Sequence, residues 1–327
     1  MPGDQQPARE GFPRPIAKFA DPQVTAKGER RAAVSFQRLQ TLWFNTGTLC
    51  NLACSGCYIE SSPRNDALVY LTRADAASFL REVEDLALPG ARIEIGFTGG
   101  EPFMNPDIME MIEDSLAAGH RVIALTNAMK PMQRVKEALL RLREKYPASF
   151  TIRVSLDHYE PNGHERIRGP NSWEPAIEGI RWLVSNQFSV TIASRLAWGE
   201  TEVEARKGFQ SLFDRLGVGF GATEERLVLF PEMDAAEDVP EISEGCWSIL
   251  GRKPDDMMCA TSRMVVRRKG SERATVVSCT LLPHSEDFEL GSTLAESLRP
   301  ISLNHVFCAR FCVLGGASCR AQPSADV

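Results

Sequence analysis

Between Leu39 and Phe230 the hydrophobic positions switch back and forth between strand and helix periodicity. Leu39-Gln-Thr-Leu-Trp-Phe44 has a β-branched residue and two aromatics, which predicts the first strand. Thr72 reads as an N-cap, followed at helical spacing by Ala76, Phe79, Leu80, Val83 and Leu86, with Pro89-Gly90 as the stop. Arg92-Ile-Glu-Ile-Gly-Phe97 alternates as a strand. Asn105 then caps a helix opening at Pro106, with Ile108, Met111, Ile112 and Leu116 on its apolar face and Gly119 at its C′ position. The rhythm repeats as strand Arg121–Thr126, helix Met132–Lys145, strand Phe150–Leu156, helix Trp173–Asn186, strand Ser189–Ala193, helix Glu202–Leu216 and strand Arg226–Phe230. Six strands alternating with helices predict an α/β fold of parallel βαβ units with right-handed crossovers. Six rather than eight points to an open, partial (β/α)6 barrel.

The flanks differ from this core, which spans 35–231. Residues 1–34 are polar and rich in Pro, Arg and Gln, and read as a mobile arm. After Phe230 the rhythm stops, and Pro231–Gly245 is an acidic, Pro-containing connector. Residues 232–327 form a small Cys-rich α+β unit. In it, Val265–Gly270 and Ala274–Ser278 predict a hairpin around Lys-Gly-Ser.

The chain has 327 residues, 43% hydrophobic and 24% charged, enough to bury a sizeable core. A net charge of −6 supplies no basic field for nucleic acid. No apolar run approaches the ~18–20 residues that span a membrane. The N-terminus lacks a basic-then-apolar signal pattern, so a cytoplasmic protein is expected. In that reducing setting nine cysteines read as metal ligands rather than disulfides.

Thr48-Leu-Cys-Asn-Leu-Ala-Cys-Ser-Gly-Cys-Tyr58 sets Cys50, Cys54 and Cys57 in a C-x3-C-x2-C array. A structural zinc site wants four ligands, often as two C-x2-C pairs. A disulfide would leave one thiol over, and unrelated buried cysteines rarely fall at this spacing. Three thiolates on one tight loop instead suit a [4Fe–4S] cube with one iron left open.

This loop, with Tyr58 after the third cysteine, resembles the cluster loop of the radical S-adenosylmethionine (SAM) enzymes. Phe97-Thr-Gly-Gly-Glu-Pro102 resembles their GGEP motif, and Arg153-Val-Ser-Leu-Asp157 their ribose-contacting strand. His164-Glu-Arg-Ile-Arg-Gly169 with Ser172-Trp173 is similar to a run found in the subgroup with C-terminal twitch or SPASM cluster domains. The resemblance implies a reduced [4Fe–4S] cluster that cleaves SAM to a 5′-deoxyadenosyl radical. That radical takes a hydrogen atom from substrate, and a flavodoxin- or ferredoxin-like protein supplies the electron.

Every suspected motif falls at a predicted strand's C-terminal end, where such sheets bind ligands. Gly99 and Gly100 allow close backbone approach or simply make a tight turn. With Glu101 they offer acceptors to the methionine ammonium. Ser155 and Asp157, on one face of their strand, offer a hydroxyl and a carboxylate to the ribose. Arg195 is a candidate for the methionine carboxylate; Arg168 either shares that task or orders its own loop. Asn127 is a second-layer donor or a turn residue, and Tyr58 flanks the adenine or shields the cluster.

Six further cysteines, Cys246, Cys259, Cys279, Cys308, Cys312 and Cys319, lie towards the C-terminus. The hairpin would bring Cys259 and Cys279 to one end. Cys308 and Cys312 share a helical face at i and i+4. Four such thiolates resemble a twitch-type auxiliary [4Fe–4S] site, with Cys246 or Cys319 as substitutes; a four-thiolate zinc clip is the alternative. The C-x3-C spacing departs from the commoner C-x2-C.

The expected function is hydrogen abstraction from a small molecule, with net oxidation or rearrangement. The alternatives are a maturase acting on a peptide or protein side chain, and a non-catalytic iron–sulfur protein. Glu224, Glu225 and His284 are candidates to meet the substrate by position alone.

Overall fold

The computed structural model describes residues 17–86, 92–196, 199–223, 225–232 and 237–315. A short strand β1 (Ala33–Val34) precedes β2 (Thr41–Asn45), which is buried throughout its length. Helix α1 (Arg73–Leu86) starts where Thr72 and Asp75 exchange side-chain-to-backbone hydrogen bonds, and it buries Ala76, Phe79, Leu80 and Val83. Then come β3 (Glu94–Thr98), α2 (Ile108–Ala117), β4 (Arg121–Thr126), α3 (Lys130–Arg134), α4 (Lys136–Lys145) and β5 (Phe150–Ser155). The second half adds α5 (Pro161–Arg168), α6 (Trp173–Ser185), β6 (Ser189–Leu196), α7 (Glu202–Leu216) and β7 (Leu227–Pro231). Helix α7 opens on a full Thr201/Glu204 capping box and closes on Gly217 at φ 63°.

Strands β2 to β7 lie side by side in chain order and all pair in parallel. Alternation sorts their side chains into two cores. Leu42, Phe44, Ile95, Phe97, Ile152, Val154 and Ile192 face the helices. Trp43 and Ile123 face the other way, into a second core shared with the C-terminal segments. There the Trp43 ring lies flush on Gly96, where a Cβ would come within 2.3 Å of it.

The C-terminal part continues this sheet. After α8 (Cys246–Leu250), strand β8 (Ser262–Val266) pairs in parallel with the free side of β2. Strands β9 (Thr275–Val277) and β10 (Glu289–Gly291) follow antiparallel, giving nine strands ordered β10-β9-β8-β2-β3-β4-β5-β6-β7. A last strand, β11 (Ile301–Ser302), pairs with β1.

Several expectations need correction. Within the expected arm, residues 17–34 are tied down; 1–16 lie outside the described residues. Arg31 makes a buried ion pair with Glu241, whose carboxylate also accepts from the Phe19 and Ala26 amides. The Ala32 amide donates to Ile242 O, and the Leu303 amide to Ala32 O. The segment's polar composition hid this, because Arg31 finds its partner 210 residues away. Helix α2 begins at Ile108 rather than Pro106, with Asp107 at its N-cap and Asn105 Oδ1 accepting the Asp107 amide. The expected helix 132–145 is broken at Val135. Helix α5 was not foreseen, because its sequence has little apolar periodicity; Pro161 opens it and Gly169, at φ 96°, ends it.

Candidate active site at the strand ends

The loop 48–58 leaves the C-terminal end of β2 and is held from three sides. The Thr48 amide donates to Leu68 O and the Cys50 amide to Ser62 O, which fastens the loop to the segment that follows it. The Gly100 amide donates to Gly47 O at 2.7 Å and the Glu101 amide to Leu49 O at 3.1 Å, from the β3 turn. The Ser55 amide donates to Ile167 O in α5, and Arg195 Nη1 donates to both Ser55 O and Gly56 O. The Cys50, Cys54 and Cys57 side chains thereby share one cavity of about 110 Å³ with Gly99, Gly100, Ser155 and Arg168.

The two glycines line this cavity and are also pressed against a second neighbour. A Cβ on Gly100 would stand 2.0 Å from Leu49 O, and one on Gly99, at φ 134°, 2.6 Å from Gly47 O. It is the cysteine loop itself that demands them. Glu101 is likewise committed. Its buried carboxylate accepts from Thr126 Oγ1 and the Asn127 amide, both at 2.8 Å, and caps the turn through the Phe103 amide. Burial lifts it to about 7 despite these bonds. Asn127 in turn donates from Nδ2 to Asn51 Oδ1 on the cysteine loop, so β4 helps hold that loop.

Asp157 is nearly inaccessible, and both its oxygens face guanidiniums: Arg168 Nε at 2.8 Å and Arg195 Nε at 3.3 Å. Burial works against its charge, but the two arginines outweigh it and hold the carboxyl below its ordinary value. This differs from a carboxylate open to a ribose. Leu156 points to the helix core, as alternation expects, and Ser155 lines the cavity. His164, in the same motif, is fully buried against Trp173, and burial drops it to about 4, so it packs as a neutral ring. Asn51 escaped the sequence reading, and Asn105 entered it only as a helix cap. Asn105 Nδ2 donates to Thr46 O and Leu71 O, bracing the end of β2, but an asparagine before a helix reads only as a cap.

Cys259 precedes β8 and Cys279 follows β9, so the hairpin sets both at one end. Residues Cys308–Leu314 form a π-helix rather than the expected α-turn. Cys259, Cys279, Cys308 and Cys312 line one small cavity. Burial drives Cys259 up to about 12, with Cys279 adding to it, and lifts Cys308 well above its ordinary value, with Cys279 and Cys259 beside it. Among the described residues no three His, Cys, Asp or Glu side chains are grouped to hold a single metal ion. Cys246 stands apart at the start of α8, 3.6 Å from Ser243 Oγ. Cys319 and Glu224 lie outside the described residues, and Glu225 is exposed on a turn. His284 Nε2 lies 2.8 Å from Ile59 O, linking the loop after Cys279 to the cysteine loop.

A family model described as the Radical SAM superfamily matches residues 44–207, half of the chain. The chain belongs to the radical SAM superfamily. It is 26% identical over 145 residues to the antilisterial bacteriocin subtilosin biosynthesis protein AlbA of Bacillus subtilis, covering 44% of this chain and 30% of AlbA. It is 28% identical over 162 residues to the AdoMet-dependent heme synthase of Methanosarcina barkeri, covering 49% of this chain and 43% of that protein. The chain therefore spans less than half the length of either relative. The fold is similar to that of Streptococcus suis SuiB bound to S-adenosylmethionine, with TM-score 0.57 and 12% identity, over 78% of this chain and 63% of SuiB.

Radical SAM enzymes use a [4Fe–4S] cluster and SAM, and the residues present suit both. Three thiols can fill three corners of a cube. Burial pushes Cys50 up to about 12 and also raises Cys54, so their thiolates need a cation such as iron. No helix of the described residues is long and apolar enough to cross a membrane.

Proposed function

We propose that this radical SAM enzyme reductively cleaves SAM and abstracts a hydrogen atom from a substrate beside Tyr58. The observation that carries the proposal is the sharing of one cavity by Cys50, Cys54, Cys57, Ser155 and Arg168. Bound there, the cluster and SAM supply the electron transfer, the C–S cleavage and the hydrogen abstraction. In this reading Cys50, Cys54 and Cys57 hold the cluster. Gly99 and Gly100 offer carbonyls to the methionine ammonium, while Glu101 and Asn127 keep that turn in register with the loop. Ser155 offers its hydroxyl to the ribose. Arg195 and Arg168, charge-balanced by Asp157, face the methionine carboxylate and clamp the loop. Tyr58 lines the wall between SAM and substrate.

We assign Cys259, Cys279, Cys308 and Cys312 to an auxiliary [4Fe–4S] cluster able to accept an electron from the substrate, giving net oxidation. The leading substrate is a small molecule, a reading supported by the similarity to the heme synthase. A peptide side chain is the second reading, supported by the similarity to AlbA and to SuiB, which is also seen bound to its precursor peptide SuiA.

The test is anaerobic reconstitution followed by reduction in the presence of SAM. About eight irons per chain and 5′-deoxyadenosine are expected, from two four-iron cubes. Cys54→Ala eliminates the 5′-deoxyadenosine; Cys279→Ala lowers the iron count without eliminating it. A fully loaded protein that never yields 5′-deoxyadenosine defeats the enzyme reading, and stoichiometric zinc with about four irons defeats the auxiliary cluster. Deuterium transfer into 5′-deoxyadenosine from labelled metabolites or labelled peptides separates the two substrates.

A further inference from the structure

Arg263, in β8, is fully buried and has no carboxylate partner among the described residues. Its Nη1 donates to Cys259 O at 2.6 Å and to Ser262 O at 2.7 Å, and its Nε donates to Ser297 O at 3.0 Å. The guanidinium carbon stands 4.5 Å from the centre of the Phe36 ring. Among the described residues Nη2 is buried without a hydrogen-bond partner. Each of these neighbours is electrically neutral. Arg31, buried likewise, has the Glu241 carboxylate.

An arginine does not shed its proton in a protein, so Arg263 carries its charge into the core. A buried guanidinium without a counter-ion is strongly unfavourable. Three carbonyl dipoles and one ring face soften that penalty without cancelling a charge. Among the described residues the missing anion has one nearby source. Arg263 holds the carbonyl of Cys259, and Cys259 shares its cavity with Cys279, Cys308 and Cys312. Burial pushes the arginine down to about 10, and the groups that pull the other way are the Cys259 and Cys279 sulfurs, once ionised. As neutral thiols they offer Arg263 no charge. Four thiolates on metal keep a net negative charge, whether the metal is zinc or an iron–sulfur cube. Each electron added to a cube makes the site more negative still, and nearby charge is one of the factors that set its potential.

We propose that Arg263 is the resident counter-charge of the second cysteine site, holding metal on its thiolates and raising the potential at which a cluster there takes up an electron. The inference rests on those cysteines binding metal, and it deepens the auxiliary-cluster reading by naming the residue that tunes it. Arg263 acts through its charge and through the Cys259 carbonyl, which makes it a positioning residue.

The experiment uses full-length chains carrying Cys54→Ala, so that the second site supplies the signal. Arg263→Gln and Arg263→Met remove the charge, and Arg263→Lys keeps it. All are reconstituted anaerobically with iron and sulfide, then titrated with dithionite under electron paramagnetic resonance. At the parent chain's midpoint the neutral variants should hold at least tenfold less reduced cluster relative to oxidised, a shift of about 59 mV for a one-electron couple. Arg263→Lys should stay within about threefold of the parent. A chelator should strip the second site at least tenfold faster from the neutral variants. The apoproteins should reverse the order: with the thiols uncharged, the neutral variants melt no lower than Arg263→Lys. Equal potentials and release rates in the lysine and neutral variants overturn the proposal and leave the cluster reading intact. Unfolding of both neutral apoproteins also overturns it, since the arginine is then structural. A second site that takes zinc and no iron defeats the cluster reading alone, and the release rates then decide the counter-charge.

Discussion

Gly100→Ala is the most direct test of how the cysteine loop is held. The added Cβ would stand 2.0 Å from Leu49 O, 2.5 Å from Leu49 C and 2.9 Å from Thr48 O, against ordinary contacts of 3.4 Å or more. All three atoms are backbone, so no side chain can swing away. The loop must shift by more than an ångström, and that breaks the Gly100-to-Gly47 and Glu101-to-Leu49 hydrogen bonds. Overpacking alone costs ~1–3 kcal/mol, and each lost buried bond adds ~1 kcal/mol. We expect a loss of about 3–5 kcal/mol, or local opening that relieves the clash at the expense of the loop. Gly119→Ala is the control. It also sits in a tight turn, at φ 86°, but its Cβ would meet nothing within 4 Å, so only conformational strain of ~1–2 kcal/mol is expected. The assay is thermal unfolding of the apoprotein, paired with iron content and visible absorption after reconstitution. Wild-type melting and full iron in Gly100→Ala would refute the claim that the glycine exists for the loop.

Three other outcomes are expected. Asp157→Asn leaves the buried Arg168 without its counter-charge and should cost about 3–5 kcal/mol by denaturant titration; a change below 1 kcal/mol would sink the clamp. Glu241→Gln should loosen residues 17–31, read as faster proteolytic nicking between Lys18 and Arg31. Burial raises the Glu241 carboxyl, but the Phe19 and Ala26 amides and Arg31 together hold it below its ordinary value. Its contribution is therefore present above the unfolded carboxyl's pKa, ~4.3, and disappears as pH falls through the lower folded value, so the variant should match wild type only in acid. Arg195→Ala should lower iron retention by releasing the Ser55 and Gly56 carbonyls, seen as faster cluster loss to a chelator.

Much of the site could be read from sequence because its signals are local. Three thiols in eight residues, a Gly-Gly turn after a strand and a Ser-x-Asp strand end need only periodicity to place them on one rim. What the sequence concealed was pairing across long separations. Asp157 reads as an open carboxylate until Arg168 and Arg195 are seen on it. Gly100 reads only as room for a ligand until Leu49 is also found against it. Strand β8 reads as half of an independent hairpin, since nothing in its residues announces that its other edge will find β2. The cysteine-bearing π-helix escaped for a different reason: its one-residue widening leaves i and i+4 on a common face, so its pattern matches an ordinary turn.

That unannounced junction between β8 and β2 carries mechanical weight. The cysteine loop leaves the C-terminal end of β2, Cys259 lies just before the N-terminal end of β8, and a ladder of main-chain bonds rivets the two strands together from Thr41 to Phe44. Among the described residues that seam is an unbroken ladder, so the spacing of the two groups of thiols is set by a stiff pleated frame. Any opening for a guest then falls to the loops at the strand ends, with the span between the two groups of thiols left unchanged.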